Sequence, residues 1–406
     1  MAAELVAPLR SRLAGRAARA GGPAGAELAA GVVELAVASG RVLGVDDVRA
    51  TVDGVRDHAW GLGPLQPLVD DPQVTDVLVN AGGRVWVDRG GGLVEEPRPV
   101  GDEVQVRALA VRLAAQAGRR LDEGRPWVDA RLPGGIRLHA VIPPVSPEGT
   151  HLSLRALRGG PRDLAALARS GSLAPGWSAV LEALILTRAA FLVTGGTGAG
   201  KSTLLAALLS RVPPDERLVL VEDVGELRPD HPHVVRLEAR HANVEGRGAV
   251  GLDELVRQAL RMRPDRLVVG ECRGPEVRDL LAALNTGHAG GCGTLHANAP
   301  GEVPARLEAL AGLAGMDRAA VHAQAAAGLD AVLHVVRTPA GRRVVELAMV
   351  GGRGDTGLSV TTAARLVELP PSTPITPPPA TPTAHTVLGP GWPVLAERLG
   401  LQAWPQ

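Results

Sequence analysis

Phe191-Leu192-Val193-Thr194-Gly195-Gly196-Thr197-Gly198-Ala199-Gly200-Lys201-Ser202-Thr203 is the stretch on which the reading of this chain turns. An apolar run leads into G-x-x-x-x-G-K-[ST], and an apolar-periodic helix pattern follows. Strand, glycine loop and helix in that order form a phosphate-binding loop. The glycines let backbone N–H groups curl around phosphates, and the helix N-terminus adds partial positive charge. Gly195, Gly196, Thr197, Gly198, Ala199, Gly200, Lys201, Ser202 and Thr203 are therefore the candidate nucleotide-binding residues. Lys201 reaches for the β- and γ-phosphates, and Ser202 is placed to ligate Mg²⁺.

Composition sharpens this point. The chain has 406 residues, with 43 basic and 43 acidic side chains, and Lys201 is its single lysine. Arg stands at every other basic position. A compact ammonium suits a narrow phosphate loop in a way that a planar guanidinium does not. A guanine-reading [NT]-K-x-D motif needs a second lysine, so a GTPase switch is excluded. Zero formal net charge offers no basic field for nucleic acid, and no direct nucleic-acid binding is expected. Cys272 and Cys292 form no metal-type cluster and suit a reducing compartment. No uncharged apolar run reaches the roughly 18 residues of a membrane-spanning helix.

Working outward, residues 1–60 read as helical, broken at Gly21-Gly22-Pro23. Residues 61–157 read as a small α+β domain. Its strands are expected at Val77-Leu78-Val79, Arg84–Val87, Arg137–Ile142 and Leu152–Arg155, with a helix over Glu103–Gln116. Gly159-Gly160-Pro161 marks an interdomain linker, assigned to residues 158–170. Beyond it, strands at Ala190–Val193, Arg217–Val221 and Arg266–Val269 alternate with helices at Lys201–Arg211, Asp253–Met262 and Pro275–Asn285. This alternation predicts an α/β, mostly parallel sheet over 171–350, closed by an antiparallel hairpin of Val332–Val336 and Arg343–Val350. Gly and then Pro dominate residues 351–406, which predicts a disordered tail.

Two acidic strand ends follow the loop, Glu222-Asp223-Val224-Gly225-Glu226 and Glu271. Carboxylates at the ends of parallel strands lie beside a phosphate loop, where they hold Mg²⁺ or its water or act as general base. Glu222, Glu271 and Ser202 are the candidate metal-holding residues, direct or through water. His288, Cys292 and His296 match no standard zinc spacing. A γ-phosphate-sensing role is expected for the two histidines. A redox pair of Cys272 and Cys292 is set against two small buried side chains, the reading preferred here. A small-molecule kinase and a non-catalytic scaffold subunit are the competing functions.

The motifs together resemble those of the type II/type IV secretion ATPase family. Four boxes stand in the family's order: Gly195–Thr203, Val221–Leu227, Leu260–Glu271 and Thr286–Asn298. The earlier residues resemble the tight-adherence pilus and conjugal-transfer subfamily through Gly63-Pro64-Leu65, Thr75–Asn80, Asp129–Pro133 and Ala140–Pro144. The resemblance covers residues 61–350. It implies a RecA-like P-loop NTPase domain behind a smaller α+β domain, and an ATPase in a hexameric ring with ATP and Mg²⁺. It also implies inner-membrane platform proteins as partners and a cytoplasmic location on the inner face of the cell membrane. By similarity Glu226 is the general base, Glu271 holds Mg²⁺ or its water, and His296 and His288 sense the γ-phosphate. Arg131, Arg137 and Arg155 would then act as arginine fingers, with Arg240, Arg261 and Arg263 as further candidates at the interface. The chain departs from the family at Ala289, which replaces an acidic residue, and at Gly291 and Cys292, where serine is common.

Overall fold

The computed structural model describes residues 25–38, 44–59, 61–97, 99–156, 163–240, 247–338, 341–352, 357–368 and 384–405. The chain divides into two compact units, Met1–Arg158 and Gly159–Gln406. Among the described residues no helix is long and apolar enough to cross a membrane.

The first unit opens with helices α1 (Gly25–Ala38) and α2 (Val45–Ala59), paired through Leu28, Val32, Val52 and Val55. The break expected at Gly21-Gly22-Pro23 lies outside the described residues. After a short helix α3 (Gln66–Asp70) come strands β1 (Asp76–Val79), β2 (Val85–Asp88) and β3 (Leu93–Glu95). Helix α4 (Glu103–Gln116) follows, then β4 (Trp127–Arg131), β5 (Arg137–Val141) and β6 (His151–Arg155). The strands form one antiparallel sheet in the order β3-β2-β1-β6-β5-β4. Alternating residues such as Val77, Val79, Leu138 and Ala140 turn inward against Val106, Leu109 and Leu113 of α4. A capping box starts α4: Asp102 Oδ1 accepts from Gln105 N at 2.9 Å, and Gln105 Oε1 accepts from Asp102 N at 3.1 Å.

The second unit begins with α5 (Leu164–Arg169) and α6 (Trp177–Leu186). Strand β7 (Phe191–Thr194) then feeds α7 (Lys201–Leu209), followed by β8 (Leu218–Glu222), β9 (Val234–Glu238) and α8 (Leu252–Leu260). Next come β10 (Arg266–Cys272), α9 (Glu276–Leu284), β11 (Cys292–Leu295), α10 (Val303–Gly312) and α11 (Arg318–Gly328). The last elements are β12 (Ala331–Thr338), β13 (Gly341–Gly351), β14 (Ser359–Glu368), β15 (Ala384–Leu388) and α12 (Trp392–Arg398). One sheet runs β15-β14-β13-β12-β7-β11-β10-β8-β9. From β12 to β9 every pairing is parallel, and β13, β14 and β15 add antiparallel strands. Strands β7, β8 and β11 are buried along their whole length; β7 and β8 accordingly read as apolar runs, whereas β11, Cys292-Gly293-Thr294-Leu295, does not. Alternate residues split between two cores. One contains Leu204, Leu205 and Leu208 of α7 with α5, α6 and α12. The other contains α8, α9, α10 and α11.

At the end of the sheet where the strands begin, Arg266 is fully buried. Its Nε donates to Glu216 Oε2 at 2.7 Å and one terminal nitrogen donates to Ile185 O at 2.8 Å. Burial pushes the Glu216 carboxyl up, but Arg266 and Arg188 outweigh it and hold the group below its usual range. Cys272 and Cys292 belong to opposite cores and are both free and buried. Burial raises both thiols, that of Cys292 to about 12. Two inert core side chains fit this placement, and a redox pair does not.

Two expectations need correction. Residues 164–169 of the assigned linker are helical: Asp163 caps the helix, and Leu164 and Leu167 enter the core of the second unit. The segment expected to be a disordered tail also contains ordered structure. Strands β14 and β15 extend the sheet, and Trp392 and Leu395 of α12 are buried. Trp404 packs on Trp177 and Trp392 at centroid distances of 5.5 and 5.1 Å, and Trp177 Nε1 donates to Thr386 Oγ1 at 3.0 Å. Composition averaged over the segment hid two strands, β14 on the edge of β13 and β15 on the edge of β14. Residues 369–383, which hold the Pro-rich tract, lie outside the described residues. Trp392→Ala is expected to cost about 3–5 kcal/mol of stability, read as a lower urea midpoint. A disordered tail predicts an unchanged midpoint.

Candidate nucleotide site

The site stands where β7, β8, β10 and β11 end together, the crevice position expected in an open parallel sheet. β7 stops at Thr194, residues 195–200 turn, and α7 starts at Lys201, with Ser202 and Thr203 in its first turn. Two glycines are required by geometry. A side chain at Gly195 would meet Val335 O at 2.3 Å, and Gly200 adopts a φ of 103° as the helix cap.

Lys201 is 7% exposed. Its Nζ donates to Gly195 O and Gly196 O, both at 3.0 Å, and lies 3.3 Å from His296 Nε2. Burial lowers its pKa, and the charges of Glu271 and Glu226 oppose that shift without cancelling it. Ser202 Oγ donates to Glu226 Oε2 at 3.3 Å. Glu271 Oε1 lies 2.7 Å from His296 Nε2. Lys201, Ser202, Glu226, Glu271 and His296 thus come together around the loop, from four separate strand ends.

Glu222 is turned inward. Its carboxylate is 4% exposed, and Oε1 accepts from Glu226 N at 2.8 Å and Leu227 N at 2.9 Å. Burial raises its pKa, against the pull of those two backbone donors. The hydroxyl of Ser202 meets Glu226 and not Glu222. Glu222 Oε1 thus holds the backbone of the loop after β8 that carries Glu226, while Oε2 is buried without a hydrogen-bond partner. Gly270 makes room for it, since a Cβ there would meet Glu222 Cγ at 2.6 Å. Asp223 is tied to Arg273 at 2.5 Å.

His288 stands apart from these groups. It precedes β11 whereas His296 follows it, and β11 runs parallel to β7. Four residues at about 3.3 Å each separate the two ends of that strand. His288, with Nδ1 3.3 Å from Ala283 O, therefore sits at the far end of the sheet from the phosphate loop of this chain. Arg261 and Arg263 lie at that same far end, in the turn between α8 and β10. Arg240 follows β9, four strand spacings of about 4.8 Å from β7. Strand direction and strand order set Arg240, Arg261 and Arg263, candidates for the interface, away from this chain's own phosphate loop. In the first unit, Arg131 pairs with Arg137 and Arg137 with Arg155 in register, so three of the candidate arginines form one row across β4, β5 and β6. Arg155 Nε also donates to Asp76 at 2.9 Å.

Sequence reasoning missed His334, which is buried on β12 with Nδ1 2.9 Å from Thr194 Oγ1. Burial lowers its pKa. A lone histidine in an apolar strand carries no signal of that contact. Among the described residues no group of three His, Cys, Asp or Glu side chains is arranged to hold a metal by itself.

A family model described as "Type II/IV secretion system protein" matches residues 58–355. A Mycobacterium tuberculosis protein named for conjugal transfer is 57% identical over 316 residues, covering 76% of this chain and 90% of that protein. The type IV secretion system protein VirB11 of Brucella suis is 33% identical over 261 residues, covering 58% of this chain and 72% of that one. Among solved structures, the Legionella pneumophila ATPase DotB aligns with a TM-score of 0.51 at 20% identity, covering 69% of this chain and 78% of that chain, a likeness of fold. With a family model spanning well over half of its length, this chain belongs to the type II/IV secretion system protein family.

Proposed function

We propose that the chain is an ATP-hydrolysing motor that powers a type II/IV secretion, conjugal-transfer or tight-adherence pilus machine, working as a hexameric ring on inner-membrane platform proteins at the cytoplasmic face. The observation that carries this reading is the buried Lys201 ammonium, held by loop carbonyls with Ser202, Glu226, Glu271 and His296 converging on it.

Each group has a chemical task in this reading. Lys201 exchanges its bonds to Gly195 O and Gly196 O for phosphate oxygens. Its lowered pKa reflects a desolvated cation, which gains most from meeting an anion. The hydroxyl of Ser202 and the carboxylate of Glu271 fit Mg²⁺ as hard oxygen donors. Mg²⁺, when bound, neutralises developing charge on the phosphates. Glu226 takes the proton of the attacking water as its oxygen bonds to the γ-phosphorus and the bond to the β,γ-bridging oxygen breaks. Glu222 holds Glu226 in place through the loop backbone. His296, paired with Glu271, lies where a γ-phosphate oxygen beside Lys201 is sensed.

Phosphate release without an added acceptor separates hydrolysis from kinase activity. Lys201→Ala is expected to abolish measurable ATP binding by calorimetry. Glu226→Gln should keep binding and lower turnover by about 10²-fold or more. Wild-type turnover in either variant would sink the assignment. Glu222 provides a separate check. In Glu222→Gln the amide oxygen still accepts from residues 226 and 227, so Mg²⁺ dependence and turnover should stay within about threefold of wild type. Glu222→Ala, which removes the acceptor, should lose turnover on the scale of Glu226→Gln. An Mg²⁺ requirement shifted strongly in Glu222→Gln would restore Glu222 as a metal ligand.

A further inference from the structure

The phosphate loop carries four glycines in six residues, Gly195 to Gly200. Such a segment has large conformational freedom to lose and does not hold a phosphate-shaped curve unaided. Lys201 ties the loop from inside, at Gly195 O and Gly196 O. A second tie comes from outside. β12 pairs with β7 only from Ala331 to His334, opposite Phe191 to Thr194. Val335–Thr338 therefore run on past the end of β7, and β13 returns beside them, with Arg337 directly opposite Arg342. This overhang lies along the glycine loop at three points. Val335 O would sit 2.3 Å from a Cβ at Gly195. Arg342 Nε donates to Gly198 O at 3.0 Å. The Arg342 Cδ methylene would lie 3.0 Å from a Cβ at Gly200. Arg337 also borders the loop, with a terminal nitrogen 3.9 Å from a Cβ built at Gly198. Arg342 is exposed and ion-pairs with no carboxylate among the described residues, so the Gly198 carbonyl is the polar contact that fixes it.

We propose that the overhanging β12–β13 pair is a brace that pre-shapes the phosphate loop, with Arg342 as the positioning residue that fixes the Gly198 peptide. In a trans peptide the carbonyl and the next N–H point in opposite directions. Holding Gly198 O against Arg342 therefore sets the direction of the Ala199 N–H. Gly200 has to lack a side chain both for its backbone angle and because the Arg342 stem occupies that space. The brace stores binding energy as preorganisation and adds no new nucleotide contact. Its consequence for ligand affinity rests on the nucleotide reading above; its consequence for loop order does not.

The test compares Arg342→Gln with Arg342→Met in the full chain. Gln places its amide nitrogen at the chain position of the Arg Nε and keeps a donor for Gly198 O without charge. Met keeps the stem over Gly200 and has no donor. Arg342→Met is expected to weaken ADP and ATP binding by about tenfold, the scale of one charge-assisted hydrogen bond. Its turnover at saturating ATP should stay within about threefold of wild type. Arg342→Gln should recover most of that affinity. In nucleotide-free protein, amide hydrogen exchange over residues 197–201 should speed up in Arg342→Met and not in Arg342→Gln. Equal affinity in Arg342→Met and wild type overturns the brace. So do equal losses in both variants, which would instead mean direct charge on the phosphates, and so do unchanged loop exchange rates. A wild-type chain that binds no nucleotide refutes the nucleotide reading, while the exchange comparison still decides the brace.

Discussion

A buried ammonium is the constraint around which the second unit is arranged. A cation removed from water must be met by acceptors or opposite charge, or it loses its proton. Lys201 is met by two carbonyls of its own loop and by the fields of Glu271 and Glu226, with Glu271 in turn paired to His296. These groups come from the ends of four strands, so their meeting depends on the sheet being parallel and correctly ordered. Ser202 and Glu226 are brought face to face by the same arrangement, and Glu222 spends a buried carboxylate on making it hold.

The parallel sheet separates the two ends of the unit by task. Where the strands finish, polar groups face the crevice. Where they begin, the fully buried Arg266 is paired with Glu216 and tied to the end of α6. That second buried cation is fully enclosed and ion-paired within the fold, so it serves architecture. The two histidines of one sequence box fall on opposite sides of this division because a single short strand lies between them. Proximity in sequence implied a shared role, and strand direction divided it.

The antiparallel strands β13, β14 and β15 extend the edge beside β12, and an aromatic cluster of Trp177, Trp392 and Trp404 fastens the end of the chain to α6. In a chain with one phenylalanine and no tyrosine, three tryptophans in contact concentrate much of the available aromatic surface at one place. The edge built there also supports β12 and β13, whose overhang reaches the phosphate loop. The far edge of the sheet and the nucleotide crevice are thus parts of one continuous structure.

Local patterns made a good part of this legible in the residues alone. The glycine loop is a contiguous backbone motif whose chemistry needs no distant partner to be recognised. The buried parallel strands β7, β8 and β10 announce themselves as unbroken apolar runs, and the helix over Glu103–Gln116 was readable to its ends. The three arginines of the first unit entered as candidates only through the family resemblance, and their alignment in one row was not legible. What the tertiary structure alone decided is which end of each strand a residue occupies and what that residue touches there. This put His296 at the site and His288 away from it, turned Glu222 onto backbone amides, ordered strands on either side of the Pro-rich tract, and laid Arg342 across Gly198. Each of these depends on strand order, direction and register between segments far apart in the chain. A one-dimensional pattern of side chains records which face of a strand is buried, but it does not record which neighbour that strand pairs with or how far the neighbour runs past its end.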